Sequence, residues 1–206
     1  MKNIILSLCV VTFYCLGCNS VSDTKKEELK PIEKVVINSF TIHKDSLVLN
    51  GNQGNWYYKN KLFSGYAVKY YPNNSLKEKI GFFNGKKQNE YRQWFANGVL
   101  KLESHYNQNV LVGSYKTWWN NDVLASEVNY LKGKKQGVEL KWFKDGTLSR
   151  KRNLVDGREE GLQKAWLENG KLYVNYEAKN GRVFGMKRAN SCYQLKNEKI
   201  EESKKI

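Results

Sequence analysis

The stretch GVELKWFKDGTLSRKRNLVDGREE, residues 137–160, decides the fold. It holds two extended runs, rich in β-branched and aromatic residues, divided by Asp145-Gly146 and closed by Asp156-Gly157. Asx and Gly accept the positive φ that tight hairpin turns demand, so the stretch reads as one β-hairpin.

The same pattern recurs on either side at a step of 24 residues. Taking Gly65 as origin, Asn89, Gly113, Gly137, Gly161 and Gly185 fall in register. An aromatic column runs through Tyr70, Trp94, Trp118, Trp142 and Trp166, followed by Tyr71, Phe95, Trp119, Phe143 and Leu167. An Asx column (Asn73, Asn97, Asn121, Asp145, Asn169) precedes a Leu column (Leu76, Leu100, Leu124, Leu148, Leu172). A second turn falls at Gly85, Asn109, Gly133, Gly157 and Gly181. Five copies therefore fill residues 65–184 without insertion or deletion. Periods of this length mark stacked repeats, because one hairpin cannot bury its own face. The expected fold is all-β, an elongated antiparallel meander of tandem 24-residue hairpins. The Trp and Leu columns are expected to form its running core.

Outside the repeats the composition changes. Lys2 precedes a mostly apolar run over residues 4–16, too short to span a bilayer, so residues 1–17 read as a signal peptide. Cys15-Leu16-Gly17-Cys18 resembles the lipobox of bacterial lipoproteins, although Cys15 and Leu16 stand where that pattern has Leu and a small residue. The resemblance implies export and acylation of Cys18, with the protein held in the cell envelope. Residues 18–34 balance Lys25, Lys26, Lys30 and Lys34 against Asp23, Glu27, Glu28 and Glu33 and read as a flexible tether. Residues 35–64 carry short β-rich runs and read as an N-terminal β cap. Residues 185–206 hold a partial repeat and a charged tail. Removal of the signal and acylation of Cys18 would leave Cys192 alone, so no intrachain disulfide is expected.

The repeat unit resembles the variant MORN repeat of bacterial proteins labelled YwqK-family antitoxins. Residues 55–79 (NWYYKNKLFSGYAVKYYPNNSLKEK) are similar to the usual opening of those proteins. The resemblance implies an all-β repeat sheet that binds rather than catalyses, with toxin neutralisation as the alternative role. Asn89 replaces a Gly at one unit boundary, and Asn109-Val110-Leu111 replaces Gly-Lys-Lys in the second unit.

The residue pattern offers no catalytic constellation, so a non-enzyme is expected. His43 and His105 are distant and lack metal spacing, and His105 reads as a solvent-facing strand residue. Glu159 and Glu160, as strand neighbours, point apart and read as solvated turn charges. No nucleophile elbow, phosphate loop or dinucleotide fingerprint appears, so no cofactor and no metal are implied. Two candidate surfaces remain. The column Tyr71, Phe95, Trp119 and Phe143 should face away from the Trp core, either as a second half-buried face or as an exposed binding stripe. Lys86, Lys87, Lys134 and Lys135 should line a basic edge, in a chain of formal net charge +15. The expected partners are an unidentified protein or envelope polymer, with the membrane reached through the lipid. Nucleic acid is not expected, because the chain is exported.

Overall fold

The computed structural model describes residues 35–186, 193–196 and 199–202, all within the unit Ile32–Ile206. The expected export segment, Cys18, the tether, Cys192 and the remaining tail residues 187–191, 197–198 and 203–206 lie outside these residues.

The segment before the repeats supplies β1 (Thr41–His43), β2 (Val48–Asn50), β3 (Asn55–Tyr58) and β4 (Lys61–Leu62). The repeats supply β5 (Gly65–Tyr70), β6 (Leu76–Phe83), β7 (Lys86–Trp94), β8 (Leu100–Asn107), β9 (Val110–Trp118) and β10 (Leu124–Leu131). They continue through β11 (Lys134–Trp142), β12 (Leu148–Val155), β13 (Arg158–Glu159), β14 (Gly161–Trp166) and β15 (Leu172–Lys179). Then follow β16 (Arg182–Met186) and a separate hairpin of β17 (Tyr193–Lys196) and β18 (Lys199–Glu202). One sheet of 13 strands holds β5 to β12 and β14 to β16 as antiparallel neighbours in chain order, with the short β13 pairing only β12 and with β1 parallel to β5 at one end. The fold is the all-β hairpin meander that the period predicts.

Two kinds of turn alternate along the chain, and each has its own residue chemistry. Asn84-Gly85, Gln108-Asn109, Lys132-Gly133, Asp156-Gly157 and Asn180-Gly181 all carry positive φ at both positions, which makes them two-residue turns of the type that matches strand twist. The other turn is a three-residue loop. In the second repeat Phe95 N–H donates to Val99 O at 2.8 Å, and Gly98 N–H to Phe95 O at 2.9 Å. Asn74, Gly98, Asp122, Gly146 and Gly170 take the left-handed position of these loops.

A third column of positive φ (Asn89, Gly113, Gly137, Gly161) marks no turn. It sits in bulges: between Ile80 and Phe82 on β6 the pairing partner on β7 jumps from Tyr91 to Lys87. Asn89, with φ of 60°, replaces glycine there because Asn tolerates this conformation better than other side chains do. The repeat boundary read from sequence is therefore a bulge, which adds local twist to the sheet.

The register corrects the expected core. Trp94, Trp118, Trp142 and Trp166 do face Leu100, Leu124, Leu148 and Leu172 across the strands, yet these pairs are only partly buried or exposed. Deep burial lies on the opposite face, hereafter the inner face, at Ala67, Ile80, Phe82, Ser104, Val128, Glu139, Leu154, Gln163 and Ala178. The reason is position along the strand. Each Trp is the last residue of its strand, beside the loop, whereas inner residues such as Ala67, Ser104, Val128 and Glu139 lie mid-strand between two neighbours. Large inner rings complete the shielding, with Tyr91 packed on Tyr106 and Tyr115 on Tyr130 at centroid distances of 6.2 and 5.7 Å.

The densest packing is at the first repeat. Leu47, Phe63, Ala67, Ile80 and Phe82 form a buried cluster, joined by Ile42, Trp56, Tyr58 and Tyr91. Burying a side chain such as Phe82 contributes about 2–3 kcal/mol. The segment 35–63 wraps the end of the sheet: Ile37 lies against Gly81 on the outer face, β1 lines β5, and β2–β4 pack on the inner face. Residues 35–40, expected as strand, form none. Gly85 N–H donates to Phe63 O at 2.8 Å, the bond that Asn109, Gly133 and Gly157 make to Lys87, Leu111 and Lys135 in later repeats. Phe63 and its neighbours thus stand in for a preceding repeat.

Candidate functional site

Tyr71, Phe95, Trp119 and Phe143 are not on the strand face expected for them. Each follows the last strand residue and opens the three-residue loop, so the four rings line the loop side of the sheet. Two of them stitch consecutive repeats. The Tyr71 hydroxyl donates to Trp94 O at 2.9 Å, and Trp119 Nε1–H donates to Trp142 O at 3.1 Å. Asn73, Asn97 and Asn121 run beside them, each donating its side-chain amide to the loop backbone of the next repeat, at Ala96, Asn120 and Lys144. Phe95 and Phe143 carry no polar atom and take no part in this ladder. Lysines lie over three of the rings: Lys77 over Tyr71 at 5.3 Å, Lys101 over Phe95 at 5.5 Å and Lys144 over Trp119 at 5.7 Å. The rings are half-buried, with their surroundings cationic.

The lysines of the opposite side do not form one surface. Strand alternation places Lys87 and Lys135 on the inner face, paired with Phe82 and Tyr130, while Lys86 and Lys134 pair with Phe83 and Leu131 on the outer face. Lys87 Nζ lies 5.1 Å from the centre of the Tyr106 ring. Burial, and then the nearby Lys44, hold its ammonium below the usual lysine range. Lys135 donates to Glu139 at 2.6 Å. Here too the repeats are stitched, by side-chain acceptors: Ser64, Gln88, Gln136 and Glu160 accept from the backbone N–H of Asn84, Gln108, Asp156 and Asn180. The sequence does carry this signal, as Gln88 and Gln136 two periods apart with Glu160 in phase.

Two polar groupings escaped the sequence reading. On the outer face Glu90, Glu103 and His105 bring ligand-type atoms within 4.8 Å of one another. His105 is half-buried rather than solvent-facing, and its Nδ1 lies 3.4 Å from Ser114 O. Arg92 already bridges the carboxylates, 2.6 Å from Glu90 and 2.9 Å from Glu103, so the group reads as a neutralised cross-strand charge network.

On the inner face Glu139, only 2% exposed, accepts from Lys135 at 2.6 Å and from Arg152 Nε at 2.5 Å. Burial pushes its carboxyl up, but the hydrogen bonds from Lys135 and Arg152 outweigh it, and the group ends below the usual Glu range. Arg152 also lies 3.6 Å from Glu159, whose other oxygen accepts from the Tyr176 hydroxyl at 2.6 Å. Burial and then the Glu159 hydrogen bond raise the Tyr176 hydroxyl to about 12. Glu159 and Glu160 are therefore half-buried and engaged, not solvated turn charges: Glu159 serves this network, and Glu160 accepts from Asn180 N–H at 3.3 Å.

A family model described as the MORN repeat variant matches residues 87–108 and 111–132. The two matches start 24 residues apart, and each runs from the strand after a two-residue turn to the next such turn. The chain is similar to that repeat over these stretches. No curated protein matches the chain.

Proposed function

We propose that this chain is a non-catalytic binding module, exported and held in the cell envelope by lipid on Cys18, which grips a protein or an envelope polymer along its loop side. The observation that carries this reading is the row Tyr71, Phe95, Trp119 and Phe143, one ring per repeat, with lysines over three of them. Rings presented at a constant interval suit an extended partner that is itself repetitive, since each repeat adds one more weak contact. The match of two repeats to a non-enzymatic type of repeat module agrees with it.

The structure dictates which variants test the row. Tyr71 and Trp119 hold neighbouring loops together through their polar atoms, so their removal confounds folding with binding. Phe95→Ala with Phe143→Ala leaves the ladder intact and should reduce capture of an envelope component severalfold. Unchanged capture by a folded double variant would remove the row from the account. Incorporation of radioactive palmitate should require Cys18, and label retained in Cys18→Ser would contradict the anchor. Toxin neutralisation, the role that the resemblance of residues 55–79 implies, is the second reading. It predicts that deletion is lethal only beside an intact toxin gene.

A further inference from the structure

One row of the inner face changes character in the last two repeats. Direct cross-strand partners run Gln93, Leu102, Thr117, Ser126, Lys141, Arg150, Ala165 and Val174. After an opposite-charge pair in the first repeat, Lys69 and Glu78, the row is neutral through Ser126, then turns to two adjacent cations and then to two small or aliphatic residues. Like charges directly opposite one another on a sheet repel, so packing alone does not select Lys141 beside Arg150. Among the described residues neither has a carboxylate within ion-pair distance, whereas Lys135 and Arg152 are held by Glu139 and Glu159. Burial and then the nearby Arg150 and Arg152 hold the Lys141 ammonium below the usual lysine range, against the pull of Glu139.

Arg150, but not Lys141, lines a cavity of about 290 Å³ whose walls include Arg152, Glu159, Gln163, Lys164 and Ala165. Its depth follows from Ala165, which ends at Cβ between Arg150 and Val174. Its floor is rigid. Gln163 is 1% exposed, donates to Asn153 O at 3.0 Å and accepts from Asn153 N–H at 3.2 Å. Charge selects the ligand. Of the charged residues that line it, three are cations (Arg150, Arg152, Lys164) and one is a carboxylate (Glu159), which leaves two positive charges in surplus. A carboxylate ligand offers one negative charge, whereas a phosphomonoester carries about −1.5 to −2 at neutral pH.

We propose that this cavity binds the phosphate of a small soluble phosphomonoester, with Arg150 supplying paired N–H donors and Lys141, its cross-strand partner, a compact charge beside the cavity. The site is on the inner face, apart from the aromatic row, and stands whether or not that row binds a partner.

Calorimetric titration of the full chain with inorganic phosphate and with glycerol phosphate tests it. Saturable binding is expected, weakened roughly tenfold or more by Arg150→Gln and by Lys141→Gln. Lys151→Gln removes a charge from the opposite face of the same strand and should leave binding unchanged, while Ala165→Leu fills the cavity without removing charge and should abolish it. Circular dichroism verifies that each variant is folded. Absence of saturable binding at millimolar phosphate overturns the proposal, as does an equal loss in Lys151→Gln. Attachment to phosphatidic acid vesicles that glycerol phosphate does not displace also overturns it.

Discussion

Gly85→Ala and Gly157→Ala place the same methyl group at the same turn position of two repeats, at φ of 75° and 80°. The backbone penalty for an L side chain in the left-handed region is about 1–2 kcal/mol and is common to both. Their surroundings differ. A Cβ at Gly85 would lie 2.7 Å from Leu62 Cδ2 and 3.0 Å from the Trp56 carbonyl oxygen, whereas one at Gly157 meets nothing within 4 Å. Leu62 can rotate away, but the Trp56 carbonyl is fixed in β3, and Trp56 N–H donates back to Gly85 O at 2.7 Å. Overpacking of this kind costs about 1–3 kcal/mol, so Gly85→Ala should lose that much more stability than Gly157→Ala. Urea unfolding followed by tryptophan fluorescence measures the difference. Repeat arrays need not unfold in one step, so amide exchange at Trp56 should accompany it and should accelerate in Gly85→Ala alone. Equal midpoints with unchanged exchange at Trp56 would refute the docking of β2–β4 on the first two-residue turn.

Gln88→Ala deletes a side chain that is 1% exposed and leaves Gln108 N–H without its acceptor, so chemical denaturation should report a loss of about 2–3 kcal/mol. Glu139 has a folded-state pKa below the ordinary 4.5, so its stabilisation is full above that value and is lost as pH falls through the folded pKa. Glu139→Gln should therefore be less stable at neutral pH, with two cations left unpaired, and should show a shallower acid limb in thermal melts between pH 5 and 2. The Tyr176 hydroxyl is raised from 10.0 to about 12, so its stabilisation is full below pH 10 and is lost as pH rises toward 12. Ultraviolet titration should show one tyrosine ionising at lower pH in Glu159→Gln than in the wild type, though still above pH 10, because burial, the larger cause, is unchanged.

Much of the architecture is legible in the columns. Asx-Gly pairs at fixed intervals predict both turns, and the structure adds only that one is a two-residue and the other a three-residue loop. The boundary column is less transparent, because a glycine required by a bulge looks like one required by a turn. Asn89 is intelligible only once its φ of 60° is known. The buried face was misjudged for a physical reason: apolar residues lie on both faces. Trp118 and Leu124 on one face are matched by Tyr115 and Val128 on the other, and composition does not show which pair lies mid-strand. The Glu139 network is assembled by register across strands, through pairs such as Glu139–Arg152 and Glu159–Tyr176 that lie 13 and 17 positions apart, so no local motif announces it. A signal was nevertheless present. Glu139 and Arg152 occupy the columns held by Ala67 and Ile80 in the first repeat and by Tyr115 and Val128 in the third. Charges in phase with apolar columns belong to the interior, and they call for a partner. The aromatic row is legible in the sequence as a column, but its placement in loops depends on where each strand ends.

The account stands on hairpins stacked in register at 24-residue intervals. Scalar couplings across hydrogen bonds, measured on isotopically labelled protein, test this most directly. The amides of Asn109, Gly133 and Gly157 should couple to the carbonyl carbons of Lys87, Leu111 and Lys135. Couplings to other carbonyls, or none in a folded protein, would contradict the stacking and every site built on it.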